Sequence, residues 1–353
     1  MPWWAWAWPL LAWVTLAVAA VGGMGGVLAA AAGTGLVLTV FAAVYHAEVV
    51  AHRVGEPFGT LVLAVAVTVI EVALIVSVMI GSTVDKSGLA RDTVFAAVML
   101  ICNGLVGLCL VVGGVRHYEQ GFQALGASAA LAVLAALVTL TLVLPNFTTS
   151  APGPLYTPPQ LVFAGVVSLV LYGAFVFVQT VRHRGYFLTD FEGDEVHGAL
   201  PSGAAAIGSF ALLLISLVAV VALAKALTPT VEAGINRFGA PKAVVGVIIA
   251  ALVLLPESLA AIRAARLNRL QTSMNLALGS ALASIGLTIP TVAFVSIAIT
   301  QPLALGLGER EEVLLSITLL VSVLTLATGR TTVLQGVVHL VILATFLFFT
   351  VVP

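Results

Sequence analysis

Long apolar runs, each broken off by short polar punctuation, leave this chain few folds to choose from. A helix needs roughly 20 apolar residues to cross a hydrocarbon core of about 30 Å. Eleven stretches meet that measure, near Trp3–Val21, Val27–Val50, Phe58–Ile80, Thr93–Val115, Leu125–Leu144, Leu161–Val181, Ala204–Leu227, Ala243–Arg263, Met274–Ile299, Val313–Ala327 and Thr332–Val352. Composition agrees: 61% of the 353 residues are hydrophobic and 8% are charged, where soluble domains carry about 25% charged residues. A chain this size must still clothe its own surface, so its solvent is lipid. No nucleophile–base set or phosphate loop is visible that would point to soluble enzyme chemistry. A net charge of −1 argues against nucleic acid as a partner. The partners expected are the lipid bilayer and inorganic cations.

The N-terminal Trp3, Trp4, Trp6 and Trp8, with no Lys or Arg in Met1–Pro9, suit an interfacial belt where a retained first membrane helix enters the bilayer. A secretory signal would begin with a basic region. Cys102 and Cys109 share one apolar segment, about 10 Å apart on a helix and too far to bridge. They read as packing residues.

Between the spans, Pro145 to Pro159 is a proline-rich loop without charge. Arg182 to Ser202 is the longest polar stretch and holds Asp190, Glu192, Asp194 and Glu195. Such a charge run is usually just solvated, with cation sensing as the weaker, regulatory reading. It divides the chain into halves. With the first helix set aside, five helices precede it and five follow. Five is odd, so two copies of one unit enter the membrane from opposite sides, a build common among secondary transporters. The expected architecture is therefore all-α and integral to the membrane, with about eleven transmembrane helices. Residues 1–24 form an extra N-terminal helix, 25–182 the first five-helix repeat, 183–203 an acidic connection and 204–353 a second, inverted repeat. Basic residues divide eight to six in favour of a cytoplasmic N-terminus and an outer C-terminus. The membrane expected is a bacterial inner membrane.

Most acidic residues fall in loops or at helix ends, but Glu71 and Glu257 sit deep in apolar spans, 186 residues apart, close to the repeat offset. A carboxylate near the bilayer midplane costs several kcal/mol, so it faces a cavity and has a task. The neighbours suit a hard cation. Thr68 is one turn before Glu71. Pro256 cannot donate to the carbonyl of Leu252, which leaves that oxygen available as a ligand. Ser258 adds a hydroxyl beside Glu257, and the following helices bring Asn103, and Ser280 with Ser284. Two carboxylates with carbonyl, hydroxyl and water oxygens suit Ca²⁺, which takes about six to eight oxygens. Two protons and one Ca²⁺ are alternative ways to neutralise such a site, so alternation between the two sides makes an exchanger. His46 and Glu48 read as interfacial residues, His339 as a packing histidine, and Lys225 as a side chain that snorkels from a helix end.

The segments Gly59–Glu71 and Leu255–Ala261, with Arg91–Met99 and Gln271–Ser280, resemble the Ca²⁺/cation antiporter (CaCA) superfamily, in its bacterial Ca²⁺/H⁺ exchanger (ChaA-like, CAX-type) branch. The resemblance implies eleven helices, with a separate first helix, two inverted repeats and an acidic connection. It also implies that the two repeat glutamates, here Glu71 and Glu257, bind Ca²⁺ and carry protons. The better-known exchangers place Gly-Asn just before each Glu; this chain has Val67-Thr68 and Val253-Leu254. The leading expectation is a secondary transporter exchanging Ca²⁺ for H⁺, with no cofactor. A Na⁺(K⁺)/H⁺ antiporter using the same site is the alternative. A passive cation channel or a non-transporting membrane subunit, from another class, lacks a pore-filter pattern.

Overall fold

The structure, a computed structural model, describes residues 1–55, 58–81, 87–187, 201–238, 241 and 243–352. Apolar side chains at nearly every position, with no strand-like alternation, favour helices whose backbone groups are satisfied internally in lipid. Eleven helices form. They are α1 Trp3–Gly22, α2 Gly26–Val54, α3 Phe58–Gly81, α4 Leu89–His117, α5 Ala124–Phe147, α6 Pro158–Arg182, α7 Gly203–Phe238, α8 Ala243–Arg266, α9 Leu270–Ala298, α10 Glu309–Leu326 and α11 Val333–Val351. Among the described residues, nine are long and apolar enough to cross a membrane. The chain is an all-α integral membrane protein.

The chain divides into two compact units, Met1–Lys86 with Val196–Lys242 and Ser87–Glu195 with Ala243–Pro353. In the first, α2 and α7 pack along one another, with α1 and α3 laid against both. The outward face of α1 is apolar, with Trp3, Trp6, Leu10, Leu11 and Val14 exposed. Its inner face is fixed to α2. Pro9 has no N–H to give the carbonyl of Ala5 four residues back. That oxygen instead accepts from His46 Nε2 at 2.9 Å, and Trp4 meets Tyr45 edge-on at 5.1 Å. His46 has no exposed surface; it ties α2 to α1 at the level of the Trp cluster.

In the second unit α4 is mostly buried among its neighbours, and α9 follows it. Both are interrupted by a wide π turn, Leu100–Leu105 in α4 and Ser284–Thr288 in α9. In α9 the cause is Pro290, which cannot donate to the carbonyl of Gly286. Small residues bring the neighbours close: Gly107 and Gly336 place α4 and α11 backbone to backbone, and Tyr172 of α6 packs over Gly286 of α9. Two helices start alike. Thr157 with Gln160 and Thr332 with Gln335 form capping boxes at the heads of α6 and α11, satisfying backbone donors that a helix start leaves open.

The two ends of this unit differ in charge. At one, Gln120–Gly121 (β1) pairs antiparallel with Arg330–Thr331 (β2), and Gln120 Nε2 donates to Ala265 O and Asn268 Oδ1. Seven arginines are exposed there, Arg116, Arg182, Arg184, Arg263, Arg266, Arg269 and Arg330. The acid among them, within the described residues, is Glu119, ion-paired to Arg330 at 3.2 Å. At the other end lie Arg91, Asp92, Glu309, Arg310, Glu311 and Glu312. There the stretch before α10 is pinned: Asn146 Nδ2 donates to Leu307 O and Glu312 Oε1, and Arg91 Nη1 to Gly306 O. A Cβ on Gly306 would collide with Asn146. Tyr156, in the loop before α6, donates to Leu140 O at 2.6 Å; burial pushes its phenol up to about 12, so it stays a donor through neutral pH.

Candidate functional site

Each of the two spans singled out by sequence is a 24-residue helix with its glutamate near the middle. In the first unit, α3 carries Glu71 at 2% exposure among Val67, Ile70 and Leu74, all buried, and Thr68 is buried on the same face. α3 packs on α2 and α7. In the second unit, α8 carries Glu257 at 9% exposure beside Val253, Leu254 and Ala261. Pro256 stands inside that helix without breaking it, and it removes the donor that the Leu252 carbonyl would otherwise have. Leu252 and Ser258 are partly buried.

Three helices of the second unit bring the remaining candidates together. α8 packs against α4 and α9. A Cβ on Gly246 would lie 2.9 Å from the backbone of Asp92 and Thr93, so the head of α8 touches α4 directly. α9 is tied to α8 by Ser273 Oγ, which donates to Ala261 O at 2.6 Å, one turn beyond Glu257. Ser280 is partly buried on α9, and Ser284, buried, opens its wide turn. Asn103 sits inside the wide turn of α4 with no exposed surface. Its amide is engaged: Nδ2 donates to Thr318 Oγ1 at 2.9 Å, and Oδ1 lies 3.2 Å from His339 Nδ1. Asp190, Glu192, Asp194 and Glu195 lie outside the described residues. Cys102 and Cys109 are buried free thiols.

Sequence reasoning passed over Thr318 and Thr325 of α10 and treated His339 alone. The signal was present. Thr318, Ser322 and Thr325 recur at a helical spacing in an otherwise apolar span, and all three are buried, which marks one polar stripe facing inward.

A family model described as sodium/calcium exchanger protein matches residues 24–181 and 208–352. The chain belongs to this exchanger family. It is a secondary transporter of inorganic cations, in the ChaA-like branch of the Ca²⁺/cation antiporter superfamily. A Sinorhizobium fredii protein named as an ionic transporter, y4hA, is 52% identical over 314 residues, covering 89% of this exchanger and 86% of that protein. The sodium-potassium/proton antiporter ChaA of Escherichia coli is 34% identical over 317 residues, covering 89% and 86%. Among solved structures, native YfkE superposes with TM-score 0.74 at 17% identity, covering 98% of this exchanger and 100% of that chain. The H⁺/Ca²⁺ exchanger CAX superposes with TM-score 0.73 at 16% identity, covering 98% and 87%. At such identities these two likenesses speak for the fold alone.

Proposed function

We propose that this exchanger is a cation/proton antiporter in which Glu71 and Glu257 take up cation and protons in turn. The observation that carries the reading is a pair of carboxylates, 2% and 9% exposed, each near the middle of a 24-residue apolar helix. A bare carboxylate at that depth costs several kcal/mol, so each needs a neutralising partner. Two protons or one Ca²⁺ balance the pair equally, and the Leu252 carbonyl with the hydroxyls of Thr68, Ser258, Ser280 and Ser284 supplies oxygens of the kind Ca²⁺ prefers. Exchange follows when the same groups open alternately to the two sides, and Ca²⁺ is the cargo expected.

Alternating access suits two inverted five-helix repeats. Three features support them. A wide turn interrupts α4 in one half and α9 in the other. A Thr-x-x-Gln capping box opens the last helix of each half, α6 and α11. The packing is exchanged, since α4 lies against α11 and α9 against α6. Positive residues favour the cytoplasmic side, so the end bearing the seven arginines faces inward in this reading, and counting passes gives a cytoplasmic N-terminus.

A second reading, Na⁺ or K⁺ in place of Ca²⁺, draws support from the 34% identical relative named a sodium-potassium/proton antiporter. Thr68 and Leu254 also stand where the better-known Ca²⁺/H⁺ exchangers carry an amide. Dissipation of a preformed pH gradient in proteoliposomes separates the two readings. Collapse on adding Ca²⁺ supports the first, and collapse only with Na⁺ or K⁺ the second. Glu71→Gln and Glu257→Gln should each abolish exchange while the protein still inserts. Wild-type protein that answers to no cation, or a Gln variant that still exchanges, refutes the assignment.

A further inference from the structure

At the wide turn of α4, polar side chains from three helices close on one another in the interior of the second unit. Asn103 Nδ2 donates to Thr318 Oγ1 at 2.9 Å, and Thr318 passes its own hydroxyl proton to Leu314 O at 2.7 Å. His339 Nδ1 lies 3.2 Å from Asn103 Oδ1, and His339 Nε2 lies 3.2 Å from Thr325 Oγ1. An amide oxygen only accepts, so Nδ1 carries the imidazole proton. Asn103, Thr318 and His339 have no exposed surface, and Thr325 has 3%.

Packing alone does not ask for this cluster. Counted from the capping boxes at Thr157 and Thr332, His339 on α11 corresponds to Ala164 on α6. The wide turn of α9, Ser284-Ile285-Gly286-Leu287-Thr288, carries no amide side chain. α6 thus packs against a wide turn that has no amide side chain, with alanine where α11 has His339. Polar groups inside a membrane bundle are costly and are retained for a task.

Their position suggests the task. A π turn interrupts the regular backbone ladder, and such turns gather at functional sites. Gly104, inside the turn, and Gly107, just beyond it, let α11 approach closely, which brings His339 within reach of Asn103. Asn103 is gripped from both flanks, by Thr318 of α10 and by His339 of α11. The gripped turn packs against α8, the helix of Glu257. We propose that His339 is a positioning residue for cation exchange. With Thr318 it fixes the Asn103 amide, and through it the wide turn of α4, against the helix that presents Glu257. This rests on the reading of Glu257 as a cation-binding group.

The test compares the wild type with His339→Ala, His339→Gln and the pair Asn103→Leu/His339→Ala, which replaces the gripped amide and its partner together by apolar residues. Amide hydrogen exchange of the purified protein over residues 100–107 and 250–261 reads the grip without reference to transport. Exchange in proteoliposomes gives the half-saturating cation concentration and the maximal rate separately. His339→Ala should speed amide exchange in both segments. It should also raise the half-saturating concentration about 10- to 100-fold, the usual loss when a partner orienting a ligand group is removed, with a smaller change in maximal rate. His339→Gln, whose amide can donate to Asn103 Oδ1, should recover most of that loss. The Leu/Ala pair should fold as stably as the wild type and still show the raised concentration. A pair with wild-type cation dependence makes the cluster mere packing and overturns the proposal, as does unchanged amide exchange over 100–107 in His339→Ala. A wild type inert to every cation removes the Glu257 reading instead, and the amide data then decide by themselves whether His339 holds α4.

Discussion

Adding one methyl group at Gly336 should push α4 and α11 apart. A Cβ there would lie 2.8 Å from the carbonyl oxygen of Gly107, from the backbone nitrogen of Val111 and from Val111 Cγ2, whereas ordinary contacts begin at 3.4 Å. Two of these three obstacles are backbone and cannot rotate aside, so the seam must open by the difference, about 0.6 Å. A gap of about 0.5–1 Å forfeits a quarter to a half of each pairwise attraction along the seam. Overpacking of this kind costs about 1–3 kcal/mol. The reverse substitution meets the same seam, because a Cβ on Gly107 would sit 3.1 Å from Gly336 O and 3.0 Å from His339 Cβ. Whichever alanine opens the gap spares the other part of its cost. The Gly107→Ala/Gly336→Ala double variant should therefore destabilise by about 1 kcal/mol less than the two singles summed, a coupling of the size seen between touching residues. Reversible unfolding by SDS in mixed micelles, followed by far-UV circular dichroism, measures all three. Gly279→Ala is the control, since a Cβ there meets nothing within 4 Å. A Gly336→Ala variant within about 0.5 kcal/mol of wild type, or strictly additive singles, would refute the close-seam reasoning.

Three further outcomes are expected. His46→Leu should loosen α1 and cost about 1–3 kcal/mol for the stranded Ala5 carbonyl; adding Pro9→Ala, which restores a helical donor to that oxygen, should recover most of the loss in the same unfolding assay. Gly306→Ala should displace the stretch before α10, because its Cβ would collide with Asn146, and limited proteolysis should then cut within residues 299–308. Arg330→Gln should shift stability by less than about 1 kcal/mol, since the Arg330–Glu119 pair is 77% and 50% exposed; a larger loss would mean that β1–β2 pairing depends on it.

Much of the architecture is written in hydropathy, because lipid admits only long apolar helices with every backbone group satisfied. That physics is local, and ten of the eleven spans end within a few residues of their sequence limits. The exception is α7, expected to stop near Leu227 but continuing to Phe238. Lys225 reads as a side chain at a helix end, yet Thr228 returns its hydroxyl to Ala224 O at 2.9 Å and the helix carries on through Pro229. The candidate glutamates were legible for the same reason, since a charge in an apolar run stands out. What stayed hidden depends on partners far along the chain. His46 needs the carbonyl that Pro9 opens 41 residues away from it. Asn103 reads in sequence as a residue supporting the cation site, and the partners of its amide, Thr318 and His339, lie more than 200 residues on. The wide turn of α9 had a local cause in Pro290, whereas that of α4 has no comparable residue and could not be read from its own segment.

The tie between Pro9, Ala5 and His46 bears on how the chain is made. α1 is synthesised before α2, and until α2 arrives its Ala5 carbonyl has no donor from its own helix. Among the tryptophans of the interfacial belt that oxygen turns to water in the meantime. The donor that relieves it arrives only with α2. α1 thus leaves the insertion machinery with one bond still to be made, and the order of synthesis favours its pairing with α2 over any later helix.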